Sequence, residues 1–133
     1  MIMKNKAEIL NYLKTNYPDN FNLYTKQVES LSDEVFDEYS VGIFSQRLKE
    51  ERCDQNLSYS KFAKELGMDR SYVYYSENRN AVSNRIIYTS KKRYIKTSSY
   101  RFYVLIASIA LDVSPLYMIG LTDDRYYEGI YKE

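Results

Sequence analysis

The chain is 133 residues long, with a formal net charge of +1, one cysteine, no histidine and 16 tyrosines. That length suits one domain with an appendage, and the single Cys53 excludes an internal disulfide and fits a reducing cytoplasm. Nothing global demands a polyanionic partner, yet residues 1–43 carry four basic against seven acidic residues, a net of −3, while residues 78–111 carry seven basic and no acidic ones; local balance is what governs phosphate binding.

No signal peptide is expected, because Lys4 and Lys6 lead into a mixed segment instead of an apolar run. Met3 to Tyr17 predicts an amphipathic helix with Ala7, Leu10 and Leu13 on one side and Pro18 beyond its end. Asp19 to Ser30 is ambiguous, a short helix containing Leu23 and Val28 being one reading. Ser32 has the chemistry of an N-cap before the acidic turn Asp33-Glu34, where negative charge suits the helix dipole. A helix then continues through Phe44 and Leu48, which supply an inward face, with Gly42 as its weak point. Residues 1–40 thus form a helical extension, either a brace on the core or an arm for dimerisation or a protein partner; amphipathic helices usually pack.

Leu57 to Asn78, LSYSKFAKELGMDRSYVYYSEN, is the stretch around which the chain is organised. Ser58 caps a first short helix carrying Phe62, Ala63 and Leu66 at helical spacing. Gly67 ends it in the left-handed conformation without a steric penalty. Asp69 caps a second helix, in which Val73 points inward while Arg70, Ser71, Tyr74 and Tyr75 point outward. The small Ala63 lets the two helices cross closely. This is a helix-turn-helix pattern, whose second helix enters a DNA major groove.

These residues resemble the Cro-type, lambda-repressor-like helix-turn-helix family, through Leu57, Ser58, Phe62, Ala63, Leu66, Gly67, Met68, Val73 and Glu77. The likeness extends upstream through FSQRLKEER, Phe44 to Arg52, and downstream through IALDVSPLYMIGLTDD, Ile109 to Asp124. Three separated blocks in the right order make it specific. The resemblance implies a mainly α, five-helix domain over residues 41–124, with a recognition helix at 69–78. It also implies a structural ion pair between Arg52 and Glu77, base contacts from Ser71 and Tyr75, and a phosphate contact from Tyr59, which stands in place of the usual glutamine. From the chemistry of its side chain, Arg70 is the base reader suited to guanine O6 and N7. Three positions depart from the pattern: Glu51 stands where an aliphatic residue is usual, Ser76 where a large apolar one is, and Arg79 where a glycine follows. Ser76 implies missing core volume.

Between this motif and the next helix lies an extra segment, about 80–99. Arg85 to Thr89 and Arg93 to Thr97 are rich in β-branched and aromatic residues on either side of Ser90-Lys91-Lys92, which predicts a β-hairpin. Ile86, Ile87 or Ile95 would fill the space left by Ser76. Basic residues interleaved with tyrosine make the hairpin a candidate wing along the DNA backbone, a flexible solvated loop being the plainer reading. Backbone contacts are expected from Tyr59, Tyr72, Arg79, Arg85, Lys91, Lys92, Arg93, Lys96 and Arg101, and base contacts from Arg70, Ser71, Tyr74 and Tyr75.

Ser99 to Leu111 predicts an apolar helix at the rear of the core. Asp112 and Pro115 interrupt the run far short of the about 20 residues that span a membrane. Ser114 and Pro115 open a last short helix ending at Gly120. The tail, 125–133, carries Tyr126, Tyr127, Ile130 and Tyr131, too apolar for a solvated tail, and should pack on the domain or across a dimer.

An enzyme is not expected: no histidine, phosphate-binding glycine loop or cysteine cluster is present, so no cofactor or metal is implied. Asp33, Glu34, Asp37 and Glu38 form a charge run of the kind that is most often a solvated face. Two functions remain: a cytoplasmic, sequence-specific regulator, of phage or bacterial repressor type, binding a pseudo-palindromic operator in double-stranded DNA as a homodimer; or a protein-interaction module of antitoxin or phage-inhibitor type that uses its tyrosine-rich surface.

Overall fold

The computed structural model describes residues 5–77 and 97–131, without the side chains of Tyr72, Tyr75 and residues 97–99. The described residues are mainly helical and contain no strand. In chain order they form α1 (Lys6–Asn16), α2 (Pro18–Glu29), a 3-10 turn (Asp33–Val35), α3 (Glu38–Asp54), α4 (Tyr59–Leu66), α5 (Arg70–Glu77), α6 (Thr97–Leu111) and α7 (Pro115–Met118). The expected hairpin lies outside the described residues except for Thr97, which opens α6 instead of closing a strand.

Helix α6 is the centre of the packing and touches α1, α2, α3, α4 and α7. Its sequence dictates this, since Val104, Ile106, Ala107 and Ile109 are buried on successive faces and leave little polar surface. Two tyrosines carry it into the core. Tyr100 packs edge-on against Phe36 and Phe44, and its hydroxyl lies 2.8 Å from Ser40 Oγ. Tyr103 packs against Phe44 at 5.3 Å, and its hydroxyl meets Ser76 Oγ at 2.6 Å. A buried phenol needs such a partner, and burial pushes the Tyr100 hydroxyl well above its ordinary acidity range.

The helix ends around α6 are satisfied by side chains. Gln55 Nε2 donates to Leu111 O at 2.8 Å and Asn20 Nδ2 to Ile109 O at 3.3 Å, meeting carbonyls that a helix C-terminus leaves without intrahelical partners. At the other end, Arg101 reaches the end of α2, donating to Val28 O and Leu31 O, each at 3.1 Å, and pairing with Asp33 at 2.5 Å. Its guanidinium also lies over the Phe36 ring.

The N-terminal extension is part of this core. Ile9 and Leu13 of α1 and Tyr24, Gln27 and Val28 of α2 are buried. The inward face of α1 therefore runs through Ile9 and Leu13, with Ala7 exposed, not through Ala7 as its periodicity suggested. Asn5 caps α1, and Pro18 opens α2 directly after it. Asp37, whose Oδ1 accepts from Ser40 N at 2.8 Å, caps α3, which passes through Gly42 unbroken.

The C-terminal tail folds back onto this extension. Gln27 is fully buried; its amide donates to Tyr127 O and Gly129 O, both at 2.8 Å, and accepts from Ser114 Oγ at 2.9 Å. Arg47 holds the Tyr117, Thr122 and Asp123 positions from α3. At Gly120 φ is +86°, a conformation that strains any L side chain and favours glycine, and a Cβ there would also push on the Ile43 side chain of α3, 2.6 Å from its Cδ1. Glu51, buried on α3, lies 3.3 Å from the Arg125 guanidinium. The tail thus supplies a counter-charge for this buried acid. Burial pushes the Glu51 carboxyl up, opposed by Arg125.

Two outcomes are expected. Leu13→Ala should lower stability by about 2–5 kcal/mol in a single cooperative urea transition, because the extension belongs to one core; an unchanged midpoint would make α1 an appendage. Glu51→Gln should gain on wild type as pH rises from 4.5 to the higher folded value of Glu51, since ionisation against burial costs wild type stability there. Denaturation of both proteins across that range measures it.

Candidate nucleic-acid interface

Helices α4 and α5 are eight residues each and are joined by three residues. Ser58 Oγ accepts from Lys61 N at 3.1 Å and caps α4. Gly67 sits at φ 68°, ψ 32°, and the next amide, of Met68, bonds Ala63 O at 2.8 Å, closing the helix as a left-handed cap. Asp69 Oδ1 accepts from Ser71 N at 2.9 Å and Ser71 Oγ at 3.1 Å. The backbone bond to Ser71 holds the Asp69 carboxyl below its ordinary value of 3.8, so this cap is intact above that pH and fades as pH falls through the lower folded value.

One side of α5 is locked inward. Val73 and Ser76 are fully buried and Glu77 nearly so. Arg70, Ser71 and Tyr74 face outward, spaced so that Arg70 and Tyr74 stand one turn apart on one surface. Ser76 is answered from α6: its hydroxyl donates to Val73 O at 2.7 Å and lies 2.6 Å from the Tyr103 hydroxyl. Ile86, Ile87 and Ile95, expected to pack beside it, lie outside the described residues.

The inward lock is completed by Arg52. Its Nε and Nη2 grip both Glu77 carboxylate oxygens at 2.5 and 2.9 Å, and Nη1 donates to Leu57 O at 2.5 Å. The fork geometry of the guanidinium suits such a two-oxygen grip, and the hydrogen bond to Glu77 raises the Arg52 pKa further. The same guanidinium lies 4.2 Å over the Tyr59 ring, and Tyr59 meets Tyr74 in a T-shaped contact at 5.6 Å.

The sequence-derived sites therefore divide. Arg70, Ser71, Tyr74 and Tyr59 come together around α5, and Arg52 and Glu77 lie directly behind them. Arg101 stands apart from them: its guanidinium is taken up by the end of α2 and by Asp33. The Tyr72 and Tyr75 side chains, and Arg79, Arg85, Lys91, Lys92, Arg93 and Lys96, lie outside what is described. The Tyr59–Tyr74 contact was not legible in the sequence, because nothing in the local pattern pairs residues on two different helices.

A cavity of about 680 Å³ opens between α1 and α4, lined among others by Tyr12, Tyr17, Leu57, Phe62 and Glu65. Tyr17 and Tyr12 both donate to Glu65, at 3.2 Å for Tyr12, so α1 is tied to α4 beside the interface. Burial, reinforced by Glu65, pushes the Tyr17 hydroxyl up. Among the described residues no cluster of His, Cys, Asp and Glu is arranged to hold a metal, and no helix is long and apolar enough to cross a membrane. Comparison with protein-family models, curated proteins and solved structures returned no match.

Glu77→Ala should cost about 3–5 kcal/mol, because it strands a buried guanidinium. Replacing both partners, Arg52→Met with Glu77→Leu, should recover most of that loss in the same denaturation assay; a double mutant as unstable as the single would show that the pair itself supplies the stability.

Proposed function

We propose that the chain is a sequence-specific DNA-binding transcriptional regulator of repressor type that reads a pseudo-palindromic operator through α5. The reading rests on one observation: α5 is pinned along Val73, Ser76 and Glu77 while it presents Arg70, Ser71 and Tyr74 outward on the adjoining face. A major groove about 12 Å wide admits such a helix. An arginine at its exposed start has the reach for guanine O6 and N7, and Ser71 beside it can bond either a base edge or a phosphate.

Two further features support the reading. The residues between α5 and α6 are rich in cations and contain no acid, the composition expected of a phosphate-contacting segment. The turn from α4 to α5, with Ala63 and Gly67 at their positions, agrees with the resemblance to the Cro-type family. The five-helix arrangement of that family and a homodimer with recognition helices about 34 Å apart belong to the same proposal. So does a cytoplasmic setting without catalytic activity. Exposed Tyr126, at 62%, and Ile130, at 46%, on the tail give a dimer apolar surface to cover.

Selection of bound sequences from random duplex DNA tests the proposal directly. Arg70→Ala should then lose about 1–3 kcal/mol on the best site and relax the preference at one base pair. Equal losses on the selected site and on random DNA would reduce Arg70 to a phosphate contact, and no enrichment at all would remove the DNA reading.

A further inference from the structure

The contact between Tyr59 and Tyr74 has a consequence for which bases the helix prefers. Tyr74 is 46% exposed, yet its ring is held at 5.6 Å and 80° to that of Tyr59. Tyr59 is itself fixed, because the Arg52 guanidinium over its ring is bonded to both Glu77 oxygens and to Leu57 O. An exposed tyrosine normally samples several rotamers, and ordering it on binding costs entropy. Here the stack orders it beforehand. Tyr74 therefore offers a preset apolar surface one turn along α5 from Arg70.

The major-groove edges of the four base pairs are almost wholly polar, and their one apolar group is the thymine 5-methyl. An ordered aromatic ring one helical turn from an arginine matches that group and no other on a base edge. Resting on the DNA-binding reading above, we propose that Tyr74 selects a thymine by its methyl group, next to the base contacted by Arg70, and that Tyr59 is the positioning residue that holds it there. Arg52 acts through Tyr59, so the buried ion pair and the base preference are mechanically joined.

The test uses the full chain and a duplex obtained by selection. Each thymine is replaced singly by deoxyuridine, which keeps base pairing and removes only the methyl. Wild type should weaken about 3–5-fold at one thymine per half-site, the fold-change that goes with loss of one methyl-sized contact, and be indifferent elsewhere. Tyr74→Ala should bind more weakly and no longer distinguish thymine from uracil at that position. Tyr59→Leu should lose that discrimination while keeping the preference at the Arg70 base pair, and Tyr59→Phe, which retains the ring, should restore it. Thermal melting of each variant separates a folding defect from a changed preference. Discrimination retained in Tyr74→Ala, or a wild type blind to every uracil, overturns the inference and leaves DNA binding standing. Failure to select any duplex overturns both.

Discussion

Arg52 is nearly sealed from water, and a buried guanidinium is tolerable only where its donors are met and its charge is balanced. Glu77 supplies the charge and takes two donors, and Leu57 O takes a third. Those partners come from the end of α5 and from Leu57, two residues before α4, so one side chain on α3 sets the relation of three helices. Pairs of this kind are often close to neutral for stability, because desolvation offsets attraction. What the pair contributes is orientation. Any tilt of α5 that leaves Glu77 away from Arg52 strands two charges in a low-dielectric interior.

The same rule, that a buried polar group must be answered, organises the centre of the fold. Helix α6 is apolar enough to sit inside, but Tyr100 and Tyr103 bring hydroxyls with them. Ser40 and Ser76 answer them from α3 and α5. Ser76 thus reads as a deficit when α5 is considered alone and as half of a matched pair once α6 is in place. A larger apolar residue at 76 would collide with the Tyr103 hydroxyl or leave it without a partner.

Features decided within three or four residues were legible in the sequence. Ser58, Gly67, Asp69, Ser114 and Pro115 stand at the helix ends their chemistry prescribes. The charge pair of Arg52 with Glu77 was legible only through the family resemblance, since 25 positions separate the two residues. Pairings across the fold were not legible. The partner of Ser76, the counter-charge of Glu51 and the destination of Arg101 are each set by where a distant helix comes to rest. On α1 the expected face holds at Leu13 and departs at Ala7, for a related reason: Ala7 and Ile9 are both apolar, and only the position of α6 and α2 decides which turns inward. Arg70, Ser71 and Tyr74, which the sequence alone nominates for base reading, lie at the surface, while what holds Tyr74 in place is seen only in the folded chain.

Gln27 closes a loop between the two ends of the described chain: its amide on α2 is satisfied only by Ser114 and by the carbonyls of Tyr127 and Gly129. On the ribosome, Gln27 emerges before those partners, which follow 87 to 102 residues later. Until then the apolar faces of Ile9, Leu13 and Val28 have no α6 to cover them. Closing contacts of such sequence separation slows folding and prolongs exposure of unpaired apolar surface. Cleavage within the tail would thus unmake the beginning of the described fold as well as its end.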